Sequence, residues 1–192
     1  MNVKNSLKIL AFKTAKDWKK WLGKNHAKSA GIWLRFFKKG SGVPSVTYAE
    51  ALDEALCHGW IDSQLQKYDE ISYLQKFTPR RPKSLWSKRN IEHVGRLVKE
   101  GRMQFAGRKE MEAARKDGRW EQAYDSSGTM KVPKDFLEKL SKNKKAKAFF
   151  EKLNRSNIYA IAWRLQTAQK PQTRSRRMKA LLAMLAEGKK LH

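Results

Sequence analysis

Trp60-Ile61-Asp62-Ser63-Gln64-Leu65-Gln66-Lys67-Tyr68-Asp69-Glu70-Ile71-Ser72-Tyr73-Leu74-Gln75-Lys76-Phe77 reads as two strands joined at Asp69-Glu70. In the second run Ile71, Tyr73 and Phe77 share a parity, as residues on one face of a strand must. The first run alternates less cleanly. A β-hairpin is the economical reading. Gly31-Ile32-Trp33-Leu34-Arg35-Phe36-Phe37-Lys38 supplies a third strand, closed by the loop Lys39-Gly40-Ser41-Gly42-Val43-Pro44. A short strand or arm covers residues 6–12.

Helices surround this sheet. Thr14-Ala15-Lys16-Asp17 resembles a helix start; Trp18, Trp21 and Leu22 follow at one-face spacing, and Gly23 is a stop. Thr47-Tyr48-Ala49-Glu50 fits a capping box, with Tyr48, Leu52, Ala55 and Leu56 expected inward and Glu50, Asp53 and Glu54 outward. Ser84 is expected to open a helix whose stripe is Ile91, Val94, Leu97 and Val98, stopped by Gly101. Another helix follows from Met103 to Lys116.

Ser126-Ser127-Gly128-Thr129 is the best linker, and an all-helical tail follows it. Its stripes are Phe136, Leu137 and Leu140; Ala146, Phe149, Phe150 and Leu153; and Ile158, Ile161, Ala162, Leu165 and Ala168. Thr173 is expected to cap a last helix with Met178, Leu181, Leu182 and Leu185. The expected class is α+β: a small antiparallel sheet of about three strands packed with helices, then an all-helical C-terminal module. The expected domains are 1–125 and 130–192.

Seven Trp, eight Phe and 40% hydrophobic residues are enough for a real core, which excludes disorder throughout. The net charge is +25. A charge of this size favours polyanions, or else serves as a solvated Lys-rich surface. It is unevenly placed. Residues 1–40 carry eleven Lys/Arg against one acid, and 141–192 carry fourteen against two. Residues 41–75 reverse the sign, with one Lys and six acids.

Cys57 is the single cysteine, which rules out an intramolecular disulfide and fits a reducing cytoplasm. Leu7-Lys8-Ile9-Leu10-Ala11-Phe12 is too short for a signal peptide or a membrane span.

The candidate site is Phe77-Thr78-Pro79-Arg80-Arg81-Pro82-Lys83-Ser84-Leu85-Trp86-Ser87-Lys88-Arg89-Asn90. Two prolines stiffen a basic segment that leads into the expected helix start at Ser84, where unpaired N–H groups and the helix dipole favour an anion. Arg80, Arg81, Lys83, Ser84, Trp86, Ser87 and Asn90 are the candidate ligand-binding residues. Arg offers a planar fork and Lys a point charge. The competing reading pairs Arg80 and Arg81 with the acids of residues 50–70.

Arg174, Arg176 and Arg177 are expected in the first turn of the last helix, where they oppose its dipole. They either meet an anion or pair internally, with Glu151 or Glu187. Cys57 and His58 point about 100° apart on a helix and so form no dyad with each other. Asp62 and His58 are the candidate acid–base groups. Trp33, Trp60, Trp86 and Trp163 are core residues or platforms for stacking bases. Metal binding is poorly supported: His26, His58, His93 and His192 make no i, i+4 pair, and there is no second cysteine. No cofactor motif is present; Gly40-Ser41-Gly42 lacks the spacing of a phosphate loop.

Four motifs in order carry a resemblance. They are Ala55-Leu56-Cys57-His58-Gly59-Trp60-Ile61-Asp62-Ser63; Thr78 to Asn90; Gly101-Arg102-Met103 with Ala113-Ala114-Arg115-Lys116-Asp117-Gly118-Arg119-Trp120; and Thr173-Arg174-Ser175-Arg176-Arg177. The chain resembles the bacterial YdeI/OmpD-associated, or bacteriocin-protection, family over residues 12–190. The resemblance implies a cytoplasmic protein with an N-terminal α+β part, a C-terminal helical module and a role in bacteriocin or stress tolerance. It supplies no catalytic residue. Where such families show Glu before the Thr-Arg motif this chain has Gln172, and it has Gln169 where Lys is usual, so no carboxyl stands at 172.

The expected function is non-enzymatic binding of an anionic partner: nucleic acid, an acidic protein, or a small phosphate or carboxylate ligand. The alternatives are an enzyme acting on a small acidic metabolite through an Arg/Lys-lined pocket, and a structural module that docks an acidic protein.

Overall fold

The computed structural model describes residues 7–192. The chain divides into two compact units: residues 7–84 with 90–122, and residues 85–89 with 123–192.

The first unit is α+β. Its elements are β1 (Ile9–Ala11), α1 (Ala15–Asn25), β2 (Ile32–Phe37), α2 (Tyr48–Cys57), β3 (Trp60–Lys67), β4 (Ser72–Pro79), most of α3 (Lys88–Lys99) and α4 (Phe105–Lys116). The strands form one sheet in the order β1-β2-β4-β3. The expected hairpin is β3 and β4, paired antiparallel, and β2 pairs antiparallel with β4. The sheet is nevertheless four-stranded and mixed, which corrects the antiparallel sheet of about three strands. β1 adds in parallel to β2, with Ile9 opposite Trp33 and Ala11 opposite Arg35. Three residues carry too short a pattern to announce a strand, and α1 supplies the crossover that a parallel neighbour needs. Of the stretch 6–12, residue 6 lies outside the described residues.

The caps form as expected. Thr14 Oγ1 accepts from Asp17 N, and Thr47 with Glu50 closes a reciprocal capping box. These satisfy backbone donors that a helix start leaves open. The core joins Trp18, Leu22, Leu34, Phe36, Ala51, Trp60 and Phe77. Trp18 and Trp60 are fully buried, each stabilising by roughly 4–6 kcal/mol from area alone. Their polar edges are satisfied: Trp18 Nε1 donates to Ala51 O at 3.0 Å, and Trp60 Nε1 donates to His26 O at 3.1 Å. Trp33 is only half-buried, with the Lys76 ammonium 5.9 Å from its ring centre.

β3 lies at one edge of the sheet. Its register against β4 shifts between Asp62 and Leu65, a bulge in the edge strand. Gly107 on α4 lies against the C-terminal carbonyls of α2. A methyl there would meet Cys57 O and come 2.6 Å from Leu56 O, so only glycine permits the approach.

The second unit is helical: α5 (Lys134–Ser141), α6 (Lys144–Phe150), α7 (Arg155–Gln166) and α8 (Pro171–Ala186). Phe136, Leu140, Ala146, Ile161, Leu165, Met178, Leu181 and Leu185 form its core, close to the stripes read from sequence. Asn143 and Asn154 cap α6 and α7. Residues 86–88 run alongside Tyr124: Tyr124 N donates to Trp86 O at 3.0 Å, and Lys88 N donates to Tyr124 O at 2.8 Å. Among the described residues no helix is long and apolar enough to cross a membrane.

Candidate functional site

The six acids of residues 41–75 decide what the basic segment after them can do. All six have other partners. Glu50 accepts from Thr47 in the capping box. Asp69 accepts from Arg35 at 2.6 Å, and Glu70 pairs with Lys67 at 2.9 Å. Asp62 accepts from the Tyr48 hydroxyl at 2.9 Å and from Gln75 Nε2 at 3.2 Å.

Asp53 and Glu54 were expected outward on α2, and both are buried. Asp53 accepts from Arg96 at 2.6 Å, with His93 Nδ1 at 2.8 Å, and Glu54 accepts from Arg102 at 2.7 Å. Burial alone would raise the Asp53 pKa; the hydrogen bonds from Arg96 and His93 outweigh it and hold the carboxyl below its ordinary range. The partners lie 40 to 48 residues downstream, so local periodicity could not reveal them.

The basic segment differs from its expected form. α3 begins at Lys88, so Ser84 opens no helix. Instead the chain turns: Ser84 N donates to Arg81 O at 3.0 Å, and Lys83 takes the left-handed conformation at φ +64°. Arg119 Nη1 donates to Ser84 O at 2.8 Å and clamps the end of this turn. Arg80 is buried; its backbone N–H donates to Gly59 O and its Nη1 reaches Ser84 Oγ at 3.5 Å. Arg81 and Lys83 are exposed and make no ion pair among the described residues. Trp86 and Ser87 are buried and belong to the second unit, while Asn90 is half-buried at the start of α3 in the first. The stretch is therefore not one seat on one helix start.

His58 ends α2. It is buried, and its Nδ1 meets Glu54 O at 2.8 Å. Burial lowers its pKa, so the ring is neutral at pH 7. Among the described residues no hydrogen bond joins it to Asp62. The Cys57 thiol is buried and pushed up to about 12, chiefly by burial, so it stays protonated and inert. Among the described residues no group of three His, Cys, Asp or Glu side chains could hold a metal ion.

The last helix starts at Pro171, earlier than Thr173, because proline suits a first helical position. Arg174 therefore lies fourth in α8, and Arg176 and Arg177 lie on its second turn. Arg174 makes a bidentate pair with Asp135 at 2.6 and 2.9 Å, rather than with Glu151 or Glu187. Arg177 Nη1 donates to Arg164 O at 2.8 Å and so satisfies the C-terminus of α7. Arg176 is exposed beside a shallow hollow that also includes Gln172, Ser175 and Lys179.

A cleft of about 830 Å³ lies wholly within the second unit. Tyr124, Arg155, Tyr159, Trp163 and Arg164 line it. Of these the sequence reading singled out only Trp163. The available signal was the spacing of Arg155, Tyr159 and Trp163 at i, i+4 and i+8, a second stripe beside the apolar one.

The chain belongs to the family described as Domain of unknown function (DUF8412), whose model matches residues 10–110, over half of its length. Residues 129–188 match a second family model, Bacteriocin-protection, YdeI or OmpD-Associated. That match supports the expected resemblance for the C-terminal part, where the Thr173–Arg177 motif lies. No curated protein and no solved structure matches the chain.

Proposed function

We propose that this is a non-enzymatic binding protein for an anionic macromolecule, with nucleic acid as the partner. It would use the proline-stiffened turn after β4, where Arg81 and Lys83 supply the contacts and the buried Arg80 supports the turn. One observation carries the reading: every acid of residues 41–75 is already engaged, so none of them is spare to neutralise Arg81 and Lys83. The net charge of +25 adds a long-range attraction for any polyanion. The setting is the one named in the description of the C-terminal family, protection against bacteriocins.

Fluorescence anisotropy with labelled duplex DNA and RNA, from about 50 to 300 mM salt, tests this. Phosphate contacts give a log–log salt slope of about −0.9 each on duplex DNA. Arg81→Ala with Lys83→Ala should weaken binding to all sequences alike and flatten the slope by about 2. No binding at the lowest salt, or an unchanged slope in the variant, would overturn the reading.

A further inference from the structure

The cleft of the second unit has a composition that a general basic surface lacks. Arg155, Tyr159 and Trp163 follow one another at i, i+4 and i+8 on α7, and Arg164 also lines the cleft. The two arginines are nine residues apart, about 13 Å along the helix at 1.5 Å per residue. Both are exposed and make no ion pair among the described residues. Tyr159 and Trp163 lie between them in sequence. Tyr124 adds a third ring, packed edge-on to Trp163 at 6.0 Å and 86°. The Tyr159 hydroxyl and the Trp163 indole N–H have no hydrogen-bond partner among the described residues. Burial, with Tyr124 beside it, raises the Tyr159 pKa, so the hydroxyl remains a donor.

We infer that this cleft binds single-stranded nucleic acid, with bases stacked on Tyr159 and Trp163 and flanking phosphates at Arg155 and Arg164. Aromatic platforms within a cationic groove are the general solution for an unpaired strand, since every base offers a π-face. A duplex keeps its bases stacked on each other and has no use for the rings. Two rings and two arginines along the lining offer more stacking and phosphate positions than one mononucleotide fills, whereas a strand presents several bases and phosphates in succession. The inference rests on the polyanion reading for its charge argument but stands on different residues, so the two can fail separately.

The test compares a fluorescein-labelled oligothymidylate, an abasic strand of the same length and a DNA duplex, all against the full chain. The wild type should bind the oligothymidylate more tightly than the abasic strand. Trp163→Leu and Tyr159→Leu should each lower oligothymidylate affinity between about 5-fold and 100-fold. Neither should change binding of the abasic strand or the duplex.

Arg155→Ala with Arg164→Ala removes only exposed side chains. It should weaken both single strands and flatten their salt slope by about 1.4. This variant keeps the test informative if Trp163→Leu unfolds, which circular dichroism would reveal. Equal wild-type affinity for base-bearing and abasic strands would overturn the inference. So would oligothymidylate binding unmoved by either aromatic variant. If Arg81→Ala/Lys83→Ala abolishes duplex binding while the cleft variants do nothing, the polyanion reading survives alone. If only the cleft variants matter, the cleft survives and the turn does not.

Discussion

Replacing Arg102 by Met should destabilise the first unit by about 3 kcal/mol. Arg102 Nη2 lies 2.7 Å from Glu54 Oε1, and the Glu54 side chain is 7% exposed. Removing one partner of a buried pair strands the other charge, at a cost of about 3–5 kcal/mol. Arg102 itself is 33% exposed, so water can partly replace it, and the lower end applies. About 3 kcal/mol is more than a hundredfold in the folding equilibrium. Urea unfolding followed by tryptophan fluorescence reads it. The double variant Arg102→Met/Glu54→Leu removes both charges and should recover to within about 1 kcal/mol of wild type. Arg96→Met is the internal control: its side chain is 44% exposed, and Asp53 keeps His93 at 2.8 Å and Arg102 at 3.8 Å. It should cost about 1 kcal/mol. A loss below about 1 kcal/mol for Arg102→Met would refute the argument. So would a double variant no more stable than the single.

Other consequences are directly measurable. The depressed Asp53 pKa means its stabilisation is complete above the ordinary carboxylate range and is lost as pH falls through the folded value; Asp53→Asn should flatten acid unfolding below about pH 4. Gly107→Ala gains about 1 kcal/mol of helix propensity but drives a methyl into the α2 carbonyls, so a net loss of about 2 kcal/mol in thermal or urea melts is expected. Cys57 should resist a disulfide exchange reagent at pH 8 and react only at the rate of unfolding; rapid native labelling would contradict the burial. Arg174→Ala should cost no more than about 1 kcal/mol, since its Asp135 pair is partly exposed, and should leave polyanion binding unchanged.

The features legible in sequence were those with local signals. The Thr47–Glu50 box, the α1 stripe of Trp18 and Leu22, the hairpin and the apolar faces of the C-terminal helices each fit within one window of residues. What the sequence concealed depended on distant partners. Asp53 and Glu54 look solvated until Arg96 and Arg102 arrive from 43 and 48 residues away. Ser84 has the chemistry of a helix cap, as does Ser87, and only the left-handed Lys83 shows that the chain turns before the helix begins. The cleft was partly readable. Trp163 drew notice alone, but its meaning lies in company with Tyr159 and Arg155, which a core-centred reading of α7 passes over.

The bulge between Asp62 and Leu65 has a consequence for life at high concentration. An outermost strand offers bare N–H and C=O groups, and a second molecule can extend the sheet by adding a strand of its own. In β3 the shift divides that row into two short runs, Trp60–Asp62 and Leu65–Lys67, whose donors and acceptors fall out of step. An incoming straight strand could match one run but not both. Lys67 adds a charge near the far end, next to the exposed Leu65 that would otherwise invite contact. The irregularity in this hairpin thus works against strand addition at this edge.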